Sequence, residues 1–577
     1  MVEYASDQDA SDWEIEEGIP QSEDPFLQQY FAGREALIER EKSQRSDEAF
    51  RHSLTPMAME ACDIVSRIIA EERQTVWTRE LQHGATEQEK LLMYPGMAFH
   101  LARDVMESTK SWKIVKEMPK GALLHSHLDA TMNVASLIEQ ALKTEGMAIS
   151  ANQSLHDEQA RKAPSVLFRF QKVTGGPGSS IWTSEYQPFV FVPLKEAADA
   201  FPGGGLQGCK AWITSLCTIS PEESLRHYHG VDAIWKKFVS CFSPLNSLLN
   251  YEPILRASIS KVLTDLNNDG IRWADFRSVF AADFFVEGSE EPSIDFTDFL
   301  RVWDEELKVF KDSEAGAHFW GCRFIWTTLR EWDRRQVVDH MKACVKMKKR
   351  FPELICGFDC VGHEDSGRTL ADLTPELFWF RKLCAENGVE IPFFFHAGEC
   401  LGDGDKVDQN LFDAILLGSR RIGHGFSLFK HPLLIEMVLK KRILIECCPI
   451  SNEVLRLTNS IKGHPLPSLL ARGVPCCLSN DDPGVLGYGT SGVTHDFWQA
   501  LQGWENVGLE GLGSMAENSV RWACYGDQAT KEWHKDVGDG KHGSGVRANR
   551  MRQWMDDWNK FCEWIVKEFA IDYGGDL

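Results

Sequence analysis

Ile391-Pro392-Phe393-Phe394-Phe395-His396-Ala397-Gly398-Glu399 is an intensely apolar run that stops at a histidine, turns on a glycine and then presents a carboxylate. A short apolar run bounded by turn signals reads as a strand buried on both faces, the kind found in parallel sheets. Runs of the same design recur on either side of it. Upstream lie Gly121-Ala122-Leu123-Leu124-His125, Ile271-Arg272-Trp273-Ala274-Asp275-Phe276, Cys322-Arg323-Phe324-Ile325-Trp326 and Leu354-Ile355-Cys356-Gly357-Phe358-Asp359. Downstream lie Arg421-Ile422-Gly423-His424, Ile443-Leu444-Ile445-Glu446-Cys447-Cys448 and Val474-Pro475-Cys476-Cys477-Leu478-Ser479. From the second run onward, amphipathic helical segments such as 335–350 and 375–387 separate them. Strands alternating with helices build a parallel sheet, and eight such units predict an α/β fold of the (β/α)8 TIM-barrel type.

The remainder of the chain is arranged around that pattern. An acidic run predicts a disordered tail over 1–24, and helical periodicity predicts an extension over 25–117. The barrel is expected over 118–530. A long stretch between the first two strands, about 133–250, is too long for one crossover helix and predicts an inserted subdomain. Helices over 531–577 close the chain.

A net charge of −23, from 85 acidic against 62 basic residues, argues against a nucleic-acid partner. The basic run Lys346-Met347-Lys348-Lys349-Arg350 reads as a solvated helix end. No apolar span is long enough to cross a membrane, and residues 1–21 lack the basic start and apolar stretch of a secretory signal, which predicts a cytoplasmic protein. Most of the 16 cysteines are expected to be reduced, since several fall within the apolar runs.

The chemistry gathers at the ends of the strands. His125 and His127 are two residues apart, so on an extended strand both imidazoles face the barrel mouth. His396 and Glu399 end another strand, and His424 lies between Gly423 and Gly425, where missing side chains would allow a substrate or water close approach. Asp481 and Asp482 end the last strand as adjacent carboxylates that need a cation or donors to offset their repulsion. Each motif alone is compatible with ordinary hydrogen-bonded residues at a strand end. Together they supply four histidines, one glutamate and two aspartates, and three imidazoles with one carboxylate are a set that suits zinc and lets it lower the pKa of a water towards about 7.

These residues resemble the adenosine deaminase family of metal-dependent hydrolases, more closely its adenosine-deaminase-related growth factor branch. The resemblance runs over about residues 116–530. It rests on Met118-Pro119-Lys120-Gly121 through His127, Gly357 through Glu364, His396-Ala397-Gly398-Glu399, Arg421 through Gly425, Cys448-Pro449-Ile450-Ser451-Asn452 and Ser479 through Pro483.

The resemblance implies one Zn2+ per chain, held by His125, His127, His396 and Asp481, and a purine nucleoside as substrate. It implies that His424 orients the water and helps to deprotonate it, and that Glu399 protonates purine N1. Asp482 would accept a hydrogen bond from the tetrahedral centre or from N7, and the backbone at Gly362 would meet N3. A looser carry-over makes Trp235 an aromatic wall for the base. Asp129, separated from the second histidine by Leu128, would contact the ribose. The branch also implies a homodimer through the N-terminal helices and, as the alternative to the cytoplasm, secretion. AMP or an N6-modified purine is the alternative substrate, although no cationic phosphate pocket is legible. A barrel that has lost activity and acts as a binding protein is the alternative from another class, and the complete set of acids and imidazoles argues against it.

Overall fold

In the computed structural model, residues 13, 16–78, 80–82, 90–172 and 180–574 are described, which leaves most of the acidic stretch 1–24 outside the description. All eight expected runs are barrel strands. Numbering only these, β1 is Gly121–His127, β2 Ile271–Ser278, β3 Gly321–Leu329 and β4 Ile355–Val361. They are followed by β5 His396–Ala397, β6 Arg421–His424, β7 Leu444–Cys447 and β8 Cys476–Leu478. Parallel ladders join β1 to β4 in order and β5 to β8 in order.

Two seams turn these half-sheets into a ring. On one side Phe358 N donates to Pro392 O at 2.9 Å and Phe394 N to Phe358 O at 3.0 Å. On the other, Asp481 N donates to His125 O at 3.1 Å and His127 N to Asp481 O at 2.9 Å. β5 is short for a local reason: Pro392 has no N–H, and Phe395 N donates to the Ser419 hydroxyl at 3.0 Å instead of to a neighbouring strand.

Helices Thr297–Asp312, Arg334–Arg350, Leu370–Glu386, Asn410–Leu416, Pro432–Lys441 and Leu466–Ala471 follow β2 to β7 in turn. The connection from β1 to β2 carries its own three-stranded antiparallel sheet, with Met147–Ala151 between Val166–Phe170 and Val192–Pro193, and helices Gly205–Cys217 and Val231–Leu249. Upstream of the barrel, helix Pro56–Thr75 is capped by Thr55 Oγ1 on Ala58 N. It buries Ile64, Val65, Ile68 and Ile69 against the long C-terminal helix Gly545–Tyr573, which contributes Trp554, Trp558 and Phe561. The expected helical stretch also contains an antiparallel pair, Glu80–Gln82 with Lys90–Leu92, a strand pairing that helical periodicity does not report.

Lys348, expected in solvent with its basic neighbours, is 2% exposed. Its Nζ donates to Pro352 O at 2.8 Å and Ile355 O at 2.6 Å and pairs with Asp527 at 2.7 Å, so a helix end became part of the barrel floor. All 16 cysteines are free thiols and buried. No helix among the described residues is long and apolar enough to cross a membrane.

Candidate active site

The strand ends deliver His125, His127, His396 and Asp481 to one point: four potential ligand atoms lie within 4.8 Å of one another. Asp481 Oδ1 is 3.2 Å from His125 Nε2 and 3.3 Å from His127 Nε2, and His127 Nε2 is 3.3 Å from His396 Nε2. Neither His125 Nε2 nor Asp481 Oδ1 has a hydrogen-bond partner, although both are buried. Buried polar atoms without partners carry a desolvation cost, and lone pairs converging on one centre are what a cation offsets. The donor set of three imidazole nitrogens and one carboxylate oxygen fits a zinc ion.

What aims these ligands was not read from the sequence. His125 Nδ1 bonds Glu446 Oε2 at 2.9 Å, and His396 Nδ1 bonds Asp359 Oδ2 at 2.6 Å, which leaves each Nε2 to face the centre. The two carboxylates belong to a charged network sealed inside the barrel. Arg277 pairs with Asp359 at 2.9 Å and Glu446 at 2.7 Å, while Arg421 pairs with Glu446 and with Asp275 at 2.8 Å. The signal was present: charges set inside apolar strands must find partners, because a lone buried charge is prohibitively costly. Ser451 donates to the other oxygen of Asp481 at 2.7 Å.

Burial keeps His396 neutral, its pKa pushed down to about 3, and holds His424 well below the usual histidine range. The glycines around His424 serve a purpose other than the one expected. A Cβ on Gly423 would lie 2.7 Å from His125 Cε1, and one on Gly425 would lie 2.9 Å from Ile445 Cγ2. The space they free is occupied by the His125 ring and the Ile445 side chain. His424 and Asp481 themselves take positive φ, +61° and +59°, a strained conformation for residues with a Cβ.

A cavity of about 1210 Å³ opens over this centre. His127, His396, Glu399, His424, Asp481 and Asp482 line its polar end. Asp129, Trp235 and Gly362 also line it, so every expected site residue except His125, which lies behind the others, borders one space. Trp235 stacks on His363 with centroids 4.6 Å apart, and Asn246 Nδ2 donates to Asp129 Oδ2 at 3.1 Å. Gly362 has φ +104°, which glycine accommodates without strain.

Two acids here are pushed towards their neutral forms. Burial, with Asp481 and Glu364 nearby, raises Glu399 well above the usual carboxylate range, and its Oε1 has no partner. Burial, with Asp481 and Asp129 nearby, does the same for Asp482. Elementary chemistry alters one expectation: purine N7 offers only a lone pair, so Asp482 could meet N7 only as a protonated donor and could not accept from it.

Glu453, one residue beyond Asn452, is a third buried acid. Burial pushes it up to about 7, and its Oε2 accepts from Phe99 N at 2.9 Å. The folded chain holds this proton more tightly than the unfolded chain does. The stabilising contribution is therefore complete below the ordinary glutamate value of 4.5 and is lost as pH rises towards about 7. Glu453→Gln keeps the group neutral and is expected to be more stable than the parent at about pH 8, by up to roughly 3 kcal/mol, and equal to it near pH 4.5. Thermal unfolding at both pH values checks this; a difference of the same size at both would reject the linkage.

A parallel eight-stranded barrel whose mouth gathers three imidazoles, a carboxylate and a buried acid is arranged as a metal-dependent barrel hydrolase would be. The chain belongs to the adenosine deaminase family and is an aminohydrolase of that family: the adenosine deaminase family model matches residues 220–539. Adenosine deaminase 2-A of Danio rerio is 31% identical over 445 residues, covering 76% of this chain and 82% of the relative. Adenosine deaminase of Phlebotomus duboscqi is 28% identical over 500 residues, covering 85% of each chain. Among solved structures, adenine deaminase from Arthrobacter aurescens aligns with a TM-score of 0.46 at 15% identity, over 73% of this chain and 98% of that one.

Proposed function

We propose that this chain hydrolyses adenosine to inosine, or 2'-deoxyadenosine to 2'-deoxyinosine, with release of ammonia and with zinc held by His125, His127, His396 and Asp481. The observation that carries this reading is the meeting, at the polar end of one cavity, of a buried Glu399 carboxyl oxygen without a partner and a cluster of potential ligand atoms of which His125 Nε2 and Asp481 Oδ1 also lack partners. Zinc there would supply the Lewis acidity that makes water a nucleophile at neutral pH.

The protein's own groups would do the rest. Glu399 gives its proton to N1, which draws electrons from C6 and opens it to attack. Asp482 donates to N7, the Gly362 backbone meets N3, Trp235 walls the base and Asp129 holds the ribose. His424, with Nε2 3.6 Å from Glu399 Oε1, orients the attacking oxygen. An O–C6 bond forms, the C6–N6 bond breaks, and the amine leaves as ammonia after gaining a proton.

The ultraviolet change of adenosine, followed with as-purified, chelated and zinc-reconstituted protein, tests the reading. Conversion to inosine should disappear on chelation and return with zinc. Conversion of AMP with none of adenosine would reject the nucleoside assignment.

We also propose a homodimer formed through the N-terminal helices. Helix Pro25–Lys42 buries none of its residues and leaves Phe26, Tyr30, Phe31 and Leu37 exposed, apolar side chains that a second copy would cover. Sedimentation should show a dimer that Phe26→Ser with Phe31→Ser turns into a monomer; a monomeric parent protein would reject it.

A further inference from the structure

Asn452 and His464 have no part in the reading above, yet both are buried and stand in line behind His424. Leu466 N donates to His464 Nδ1 at 3.1 Å, His464 Nε2 faces Asn452 Oδ1 at 3.0 Å, and Asn452 Nδ2 faces His424 Nδ1 at 3.1 Å. The direction of this relay follows from its one unambiguous end. A backbone N–H can only donate, so His464 Nδ1 accepts. Burial keeps that imidazole neutral, its pKa pushed down to about 3, so its single proton is on Nε2.

That N–H needs an acceptor, so Asn452 turns Oδ1 towards His464 and its NH2 towards His424. The opposite amide orientation would set two donors against each other at His464. His424 Nδ1 therefore accepts, and its ring proton lies on Nε2, the atom 3.6 Å from Glu399 Oε1 and 3.8 Å from Asp481 Oδ2.

From this geometry we propose that Asn452, backed by His464, is a positioning residue that holds His424 with its Nε2–H aimed into the site. His424 then serves deamination as a hydrogen-bond donor to the attacking oxygen and does not take its proton. The proposal rests on the functional reading above and revises one half of the role expected for His424. A carboxylate behind Nδ1, as in a Ser-His-Asp triad, puts the ring proton on Nδ1 and leaves Nε2 free to act as a base; an amide in the same place reverses the tautomer.

The protons still balance. As the O–C6 bond forms, N1 gains the proton of Glu399, and the Glu399 carboxylate left behind regains one from the attacking water. The second water proton leaves with ammonia, and His424 finishes with the proton it began with. Its Nε2–H bond strengthens as negative charge grows on the oxygen, the condition under which a donor lowers a barrier.

Asn452→Asp is nearly isosteric and exchanges the donor facing His424 for an acceptor. It is expected to lower kcat on adenosine roughly 10²–10³-fold, the loss seen when one transition-state donor is removed. KM and inhibition by inosine should stay within about twofold, because ground-state contacts are untouched. Selective 15N-histidine NMR of the metal-free protein reads the tautomer directly, with His424→Asn assigning the signals. The parent should carry the His424 proton on Nε2, and Asn452→Asp should move it to Nδ1. Asn452→Ala separates a packing effect, since a merely structural role would lower the melting temperature and leave kcat in place.

A parent protein protonated at Nδ1, or an Asn452→Asp enzyme with undiminished kcat, overturns the proposal. If the parent converts no purine at all, the functional reading fails, and the NMR measurement still decides whether the relay sets the tautomer.

Discussion

Glu399→Gln is expected to reduce kcat on adenosine by roughly 10²–10⁴-fold, the range lost when a positioned acid is removed, with KM nearly unchanged. Gln matches Glu in size and can still donate a hydrogen bond to N1, but it has no proton to transfer. Burial and the nearby Asp481 and Glu364 push the side chain it replaces towards its neutral form. A neutral group of the same size takes its place, and the melting temperature should hardly move. The backbone N–H of residue 399 keeps its bond to Glu364 Oε1, 2.9 Å long in the parent, so the loop stays in place. Steady-state kinetics beside a thermal melt decide the matter: activity within about threefold of the parent would remove Glu399 from the acid role.

Asp359→Asn is expected to weaken metal binding roughly 10–100-fold and to destabilise the fold by roughly 3–5 kcal/mol. Asp359 accepts from His396 Nδ1 at 2.6 Å, from His396 N at 2.8 Å and from Arg277 Nε at 2.9 Å. Burial works against its charge, yet His396 and Arg277 hold its carboxyl well below the usual carboxylate range. An amide loses on both counts. Arg277 would keep a single carboxylate partner in a site closed to water, so part of a buried charge would go uncompensated. An NH2 facing His396 Nδ1 would also push that ring's proton to Nε2, the atom aimed at the metal. Competition with a chelator of known affinity measures the first effect and denaturant unfolding the second; unchanged zinc affinity would show that Asp359 packs the barrel without orienting His396.

The eight barrel strands were legible because a strand buried on both faces reads as an unbroken apolar run, and that property belongs to the strand alone. Where pairing is the decisive fact, sequence reading fell short. The strands at 80–82 and 90–92 and the sheet within the β1–β2 connection depend on partners that no local periodicity names. The clustering of the candidate ligands was legible for a similar reason: a barrel gathers the carboxyl ends of its strands at one mouth, so a histidine at each of several ends implies a meeting point.

The orienting groups were a different matter. Asp275, Asp359 and Glu446 stand in the sequence as charges inside apolar runs, and only the closed barrel shows which arginine and which imidazole each one meets. Gly423 looked like room for a substrate until the His125 ring was found to occupy it. Asn452 belongs to a recognisable motif, but His464, twelve residues on, gives that amide its direction.

By itself, then, the sequence determined the strand inventory, the kind of ligands and the acids at the strand ends, since hydrophobic periodicity and residue chemistry are local. The tertiary structure decided which atom of each candidate ligand faces the centre, which acids are buried beside other carboxylates and which side chains stand behind His424. Those are set by burial and by hydrogen bonds between residues far apart in the chain, and they exist only once the ring of strands has closed.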